Sequence, residues 1–335
     1  MKLLVTGGAG FMGSNFIHYI LKKYPDYEII NLDKLTYAGN LKNLTDVENN
    51  PRYKFVRGDI ADPNIVNELV PKVDAVINYA AETHVDRSIL DPRKFAQTDV
   101  IGTLTILNAI RQNGNSVKLI QISTDEVFGS IDSGKFSEES PFEPNSPYAA
   151  SKAGGDLMCR AFWATYNTPV IVTHSCNFYG PNHYPEKLIP LAITNLLEGK
   201  KVPVYGDGKQ IREWIYTEDH CSAVDTILHK GVEGEIYNIG TERELMNLDT
   251  IKTILNALNM DESYMEFIKD RPAHDRRYSL DTSKLRTELG WSPKVEFEDG
   301  IKKTVEWFKN NESWWKEIKN GEYQRYYEKQ YGSKA

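Results

Sequence analysis

The sequence predicts an α/β chain built on a doubly wound parallel sheet, with a smaller mixed α/β domain after it. Three observations predict it. Short apolar runs alternate with helical patterns through the first half of the chain, the order expected of strands joined by crossover helices. A glycine-rich turn separates the first run from the first helical pattern, and an acid closes the second run. Right-handed crossovers then place a ligand crevice at the C-terminal ends of the strands.

In chain order, residues 2–5 (KLLV) read as a strand and 13–23 as a helix. Residues 28–32 and 53–56 are further strands, 62–69 a short helix, and 75–78 a fourth strand. Val100, Leu104, Leu107 and Ile110 recur at helical spacing, which predicts a helix over 100–110. The apolar run 117–120 begins a strand that ends at Ser123. A long helical segment follows Pro147 to about Tyr166, then a strand over 170–173. Beyond Gly180 the alternation weakens, so residues 1–176 are assigned to the sheet domain, completed by segments near 210–240, and 177–335 mainly to a domain that closes over the crevice. The aromatic and charged stretch 307–331 reads as an amphipathic helix packed on the body.

With 335 residues, a net charge of −7 and a pI near 5.6, the chain lacks the basic excess of a general nucleic-acid binder. No apolar run approaches the roughly 20 residues that span a bilayer, and MKLLVTGGAG carries no signal-peptide core. Three scattered cysteines suit a reducing cytoplasm rather than a disulfide framework. Seven histidines form no HxH or HExxH pair, so no metal site is expected.

Gly7, Gly10 and Gly13 follow the first strand with GxxGxxG spacing. Glycine there permits a tight turn, close approach to a pyrophosphate, and close helix–strand packing, while the helix N-terminus offers N–H groups to the phosphates. Asp33 follows Gly13 at about the 20 residues typical of a ribose-binding acid, and a carboxylate there repels a 2′-phosphate. The pair predicts a Rossmann site for NAD rather than NADP. Asp59 and Ile60 after the third strand, and Ala80 and Ala81 after the fourth, fall on the same crevice.

Tyr148 and Lys152 stand four apart, on one face of a helix. A phenol titrates near 10 and is a poor base, but an ammonium and a positive nicotinamide stabilise its phenolate. Thr124, Asp125 and Glu126 sit where the fifth strand surfaces. Alcohol oxidation alone needs only the hydroxyl. Two added carboxyls imply an acid and a base on one substrate, as in ketone formation followed by β-elimination of water.

The stretches TGGAGFMG (6–13), DKLTYAG (33–39), AAETHVDRS (80–88), STDEVFG (123–129), YAASK (148–152), YGPNHYPEKLIP (179–190) and RPAHDRRYSLD (271–281) resemble the extended short-chain dehydrogenase/reductase family. Within it, TDE after the strand's serine resembles the branch that dehydrates nucleotide-linked hexoses. The likeness runs nearly the whole chain, to GEYQRYYEKQYG (321–332). It implies conversion of dTDP-glucose to its 4-keto-6-deoxy product by C4 oxidation, C5/C6 elimination of water and hydride return to C6, with UDP-glucose the alternative substrate. Tyr148, aided by Lys152 and Thr124, would take the C4 hydroxyl proton, Glu126 the C5 proton, and Asp125 would protonate the departing C6 hydroxyl. The resemblance adds Phe11, Met12, Lys34, Thr36, Thr83, Thr98 and Ser123 to the NAD site, with Asn177 shared between cofactor and substrate. For the nucleotide sugar it implies His84, Lys187, Leu188, Pro203, Tyr205, Arg212, Asn247, Arg271, His274 and Tyr278, the two arginines holding the diphosphate. It also implies a homodimer joined through the helices at 100–110 and 149–166.

The sequence departs from the family's usual pattern at Asp99, Phe128, His174, Phe178 and Ala273. Two other readings compete. A 4-epimerase of the same superfamily needs no acid pair at 125–126, and an NAD-binding sensor needs neither Tyr148 nor Lys152.

Overall fold

A computed structural model describes residues 1–270 and 275–320. Its strands are β1 (Lys2–Thr6), β2 (Glu28–Asp33), β3 (Tyr53–Arg57), β4 (Ala75–Asn78), β5 (Lys118–Thr124) and β6 (Val170–Ser175). There follow β7 (Asn177–Tyr179), β8 (Val202–Tyr205), β9 (Ile211–Tyr216), β10 (Ile236–Ile239), β11 (Glu244–Met246) and β12 (Met265–Ile268). Seven of them make one parallel sheet in the order β10-β6-β5-β4-β1-β2-β3. The order reverses between β1 and β4, the switch point at which such sheets open a ligand crevice.

The central strands are apolar on both faces because helices cover both. Leu3 and Val5 of β1 join Ile17, Ile20, Ile77, Ile120 and Ile227 beneath helices Phe11–Lys23 and Thr217–Lys230. Leu4, one residue between them, points the other way into a second core with Val76, Leu119, Ile106 and Ile110, under helices Pro63–Leu69 and Thr103–Gln112. At the strand ends a buried polar ladder fixes register. Thr6 Oγ1 donates to Asn78 Oδ1 (2.5 Å), Asn78 Nδ2 to Gln121 Oε1 (2.7 Å), and Gln121 Nε2 to Thr103 Oγ1 (3.4 Å).

Helix starts follow local chemistry. Asp62 accepts from Asn64 N ahead of Pro63, and Ser146 accepts from Ala149 N ahead of Pro147. The long helix Pro147–Tyr166 ends on Asn167 in the left-handed region (φ 53).

After β7 the chain builds a second body. Strands β11-β9-β7 form a three-stranded sheet and β12-β8 a two-stranded one. A third core of Tyr179, Ile193, Ile254, Phe308 and Trp315 lies with them. Between β9 and β11 the chain returns to the main sheet as helix Thr217–Lys230 and strand β10.

Two elements differ from expectation. Residues 100–110 are not one α-helix: a π-helical segment, Ala96–Gly102, precedes helix Thr103–Gln112. The cause is tertiary, since this segment lies against Gly154 and Gly155, where a Cβ on Gly155 would come within 2.7 Å of the Asp99 carbonyl oxygen. The C-terminal helix starts earlier than its aromatic stretch, at Phe297, and ends at Asn310, with a short helix Glu312–Ile318 after it. The remainder of the stretch predicted over 307–331, from 321 on, lies outside the described residues.

Candidate active site

The turn after β1 is built around close approach. Gly7 has φ +66, and a Cβ there would stand 2.7 Å from the Ala80 backbone; one on Gly13 would stand 2.3 Å from the Gly7 carbonyl oxygen. The strand, turn and helix therefore pack as one unit that only glycine allows. Gly10 caps helix Phe11–Lys23 with no side-chain bond to its first amides, leaving those donors for an anion. Asp33, at the end of β2, accepts from Ala9 N (2.9 Å) and Leu35 N (2.7 Å). Burial raises its carboxyl above the ordinary range, and the two amides pull it back. Lys34 pairs with Asp59 at 2.6 Å across the ends of β2 and β3.

These residues line one crevice of about 360 Å³ that runs from the glycine turn to β8 and β9. Its cofactor-side wall holds Gly7, Gly10, Phe11, Met12, Gly13, Asp33, Lys34, Thr36, Asp59, Ile60, Ala80, Ala81, Thr83 and Thr98. Its middle holds Ser123, Thr124, Glu126, Tyr148, Lys152 and Asn177. His84, Lys187, Leu188, Pro203, Tyr205, Arg212, Asn247 and Tyr278 line it as well. Asp125 is brought beside the crevice and not into its wall, being buried to 1% exposure. Arg271 and His274 lie outside the described residues. The glycine cradle, the open helix N-terminus and Asp33 fit a dinucleotide.

At the reacting end β5 closes on Thr124, which also begins a 3₁₀ turn over Asp125–Phe128. Thr124 Oγ1 accepts from Glu126 N (3.3 Å) and bonds Asp125 Oδ1 (3.2 Å). Asp125 Oδ2 is buried without a partner. Burial, then the charges of Glu126 and Glu213, hold the Asp125 carboxyl well above its ordinary range, which favours its protonated form. Burial, then Glu126 and Asp99, also raise the Tyr148 phenol, while a hydrogen bond with Thr124 lowers it. Glu126 is thus the charge that Asp125, Tyr148 and Tyr278 all feel.

Tyr148 and Lys152 both line the crevice, as their four-residue spacing predicts. The Lys152 ammonium donates to the Ile122 carbonyl oxygen at 2.7 Å, anchoring the helix to β5. Arg212 is likewise committed to the protein: it donates to the carbonyl oxygens of Ile211 (2.7 Å) and Asp275 (2.8 Å) and lies over the Tyr278 ring at 4.3 Å.

One cluster escaped the sequence reading. Tyr37 donates to Glu186 Oε1 (3.0 Å), Arg87 pairs with Glu186 Oε2 (3.0 Å), and the guanidinium sits 3.8 Å from the Tyr37 ring centroid. It ties two loops to helix Val85–Leu90 at the crevice mouth, each of the three carrying a stretch that the sequence had marked without assigning these residues. His183 stacks on Phe11 with ring centroids 4.0 Å apart. No cluster of metal-ligating side chains occurs among the described residues.

Doubly wound sheet, glycine cradle and the Tyr148/Lys152 helix beside β5 define an extended short-chain dehydrogenase/reductase. Within that class the chain belongs to the GDP-mannose 4,6 dehydratase family, whose profile matches residues 4–304. It is 46% identical to a dTDP-glucose 4,6-dehydratase of Xanthomonas campestris pv. campestris, over 96% of both chains. The crystal structure of dTDP-glucose 4,6-dehydratase from Streptomyces venezuelae with NAD and TYD bound is similar at a TM-score of 0.92 and 50% identity, covering 95% of this chain and all (100%) of that one. A UDP-glucose 4-epimerase from Thermotoga maritima, solved with UDP-glucose, reaches a TM-score of 0.86 at 29% identity over 92% of this chain and 99% of its own.

Proposed function

We propose that the protein dehydrates dTDP-glucose to the 4-keto-6-deoxy nucleotide sugar with NAD as a regenerated cofactor. The observation that carries this reading is the acid pair closing β5: Glu126 on the crevice wall, and Asp125 behind it, its carboxyl raised by burial. An epimerase has no use for a proton donor beside a carboxylate at this place. The dehydratases named above, at 46% and 50% identity, support the same choice.

The residues that would hold the cofactor are the Gly7–Gly13 turn, Asp33 and the Ala80–Ala81 backbone. Bound NAD would accept the C4 hydride and return it to C6 after elimination, and its positive ring would favour the Tyr148 phenolate. Tyr148 then takes the C4 hydroxyl proton, with Thr124 orienting the same oxygen. The ketone acidifies the adjacent C–H, and Glu126 removes the C5 proton and gives one back to C5 when hydride enters at C6. Asp125 gives its proton to the departing C6 hydroxyl, and its bond to Thr124 Oγ1 links it to the crevice. Lys152 fixes the helix that carries Tyr148 through Ile122. Residues 1–176, with helix Thr217–Lys230 and β10, form the cofactor domain, and the later segments supply the nucleotide–sugar walls.

Exposed Ile101 and Leu157, 41% and 51% accessible, mark the faces through which we place a homodimer. No described helix is long and apolar enough to cross a membrane, and three buried free cysteines suit the cytoplasm.

Incubation of the NAD-loaded protein with dTDP-glucose, UDP-glucose and GDP-mannose, followed by mass spectrometry, tests the reading. The expected result is a product lighter by one water, formed fastest from dTDP-glucose and without net reduction of NAD. An isomer of unchanged mass would establish epimerisation instead.

A further inference from the structure

Asp99 is a buried acid that the reaction above does not use. It lies in the π-helical segment Ala96–Gly102, at 2% exposure. A π-helical segment is uncommon and marks strain that packing must hold. Here the packing is the pair Gly154 and Gly155, which lets the segment press onto the helix carrying the proposed base. Ser151 of that helix donates to Asp99 Oδ2 at 2.6 Å, and its hydroxyl also stands 2.8 Å from the Tyr148 carbonyl oxygen. Asp99 Oδ1 has no partner at hydrogen-bonding geometry, although the Glu82 N–H favours its charged form.

Lys152 sits on the same helix at 4% exposure, and an ammonium so buried requires a counter-charge. Asp156, one turn further along, is engaged elsewhere, by Ser123 Oγ (2.5 Å) and His174 Nε2 (3.3 Å). Asp99, on the facing segment, makes no direct salt bridge to Lys152, and the ammonium acts on its carboxyl through space. Asp99 also acts on Tyr148, whose ionisation it opposes.

We propose that Asp99 is a titrating positioning residue behind the proposed base: its carboxylate neutralises the buried Lys152 ammonium, so the protonation state of Asp99 governs how readily Tyr148 ionises. The inference rests on Tyr148 being the base. The groups that face Asp99 are Tyr148, Ser151 and Lys152 from helix Pro147–Tyr166 and Glu82 from the segment after β4. Burial pushes the Asp99 carboxyl up to about 7, against the lowering effects of Lys152 and Ser151. Below that value Asp99 is neutral and the uncompensated ammonium favours the phenolate. Above it the Asp99 carboxylate offsets the ammonium's field, and the pull toward the phenolate at Tyr148 weakens. The two titrations oppose each other and belong to the group as a whole.

The test uses the full-length, NAD-loaded protein with carbon-13 at the tyrosine Cζ, the Tyr148 signal being assigned with Tyr148→Phe. In Asp99→Asn, which keeps an acceptor for Ser151 and removes the charge, the Tyr148 titration midpoint should move toward acid by about one pH unit. The acid limb of kcat/KM should move with it. An unmoved midpoint in folded Asp99→Asn overturns the proposal, whatever happens to the rate. If that variant does not fold, the wild-type Asp99 carboxyl signal decides: a midpoint near neutrality supports the proposal, and one in the ordinary carboxylate range overturns it. The tyrosine signal needs no turnover. A midpoint that moves in a protein that dehydrates no sugar therefore refutes the functional reading and leaves this one standing.

Discussion

Elimination depends on Glu126, the acid of the pair that lines the crevice, whereas Asp125 lies buried behind it. Burial and its neighbours favour the protonated form of Asp125, which suits it to give a proton rather than to take the one at C5. Glu126→Gln removes the base and nearly preserves shape. Dehydration should fall by about 10²-fold or more, while oxidation at C4 survives as a transient reduction of bound NAD in stopped-flow absorbance. Undiminished product formation would remove Glu126 from the mechanism. At this scale the sequence was informative where spacing carries chemistry. Tyr148 and Lys152 are four apart, and the glycines precede Asp33 at a fixed interval. It was silent where a role depends on what lies opposite. Nothing local reveals that Lys152 reaches Ile122 O, that Asp125 sits behind the crevice wall, or that Asp99 faces the helix of Tyr148.

Among elements, the β1–turn–helix unit is the most constrained. A methyl on Gly13 meets the Gly7 carbonyl oxygen, a backbone atom that cannot rotate away. Gly13→Ala should therefore cost about 1–3 kcal/mol of stability by overpacking, read as a lowered urea midpoint, and should also weaken NAD binding measured by calorimetry. The turn joining β10 to β11 hangs on another buried acid. Glu213 Oε1 accepts from the amides of Thr241 and Glu242 (2.6 Å to the latter). Burial pushes its carboxyl up to about 7. The folded state then holds a proton that the unfolded chain releases near its ordinary value, so stability falls as pH rises between the two. Melting temperature should drop from about pH 5 to about pH 8, and drop less in Glu213→Gln, whose amide oxygen still accepts both bonds. An equal drop in the variant would assign the effect elsewhere. Strands β1 to β6 were legible, the inner ones because they are buried on both faces and read as continuous apolar runs, whereas the edge strand β10 was placed only within a segment near 210–240. The small sheets of β7, β9 and β11 and of β8 and β12 were not, since their pairing joins short segments far apart in sequence. The π-helical turn escaped because periodicity reports one face of a helix, whereas Gly154 and Gly155 impose the turn from outside.

For the whole molecule, the sheet supplies a rigid floor and the later segments supply walls, so one crevice serves both cofactor and sugar. The proposed dimer uses helix faces away from that crevice, where Ile101 and Leu157 are exposed. Leu157→Lys should give a monomer by sedimentation velocity; a persistent dimer would place the interface elsewhere. The central claim is that two acids turn a redox site into an eliminating one. It is tested most directly with dTDP-glucose carrying deuterium at C4. The expected product is lighter by one water and carries the deuterium at C6. Deuterium still at C4, in a product of unchanged mass, would contradict it.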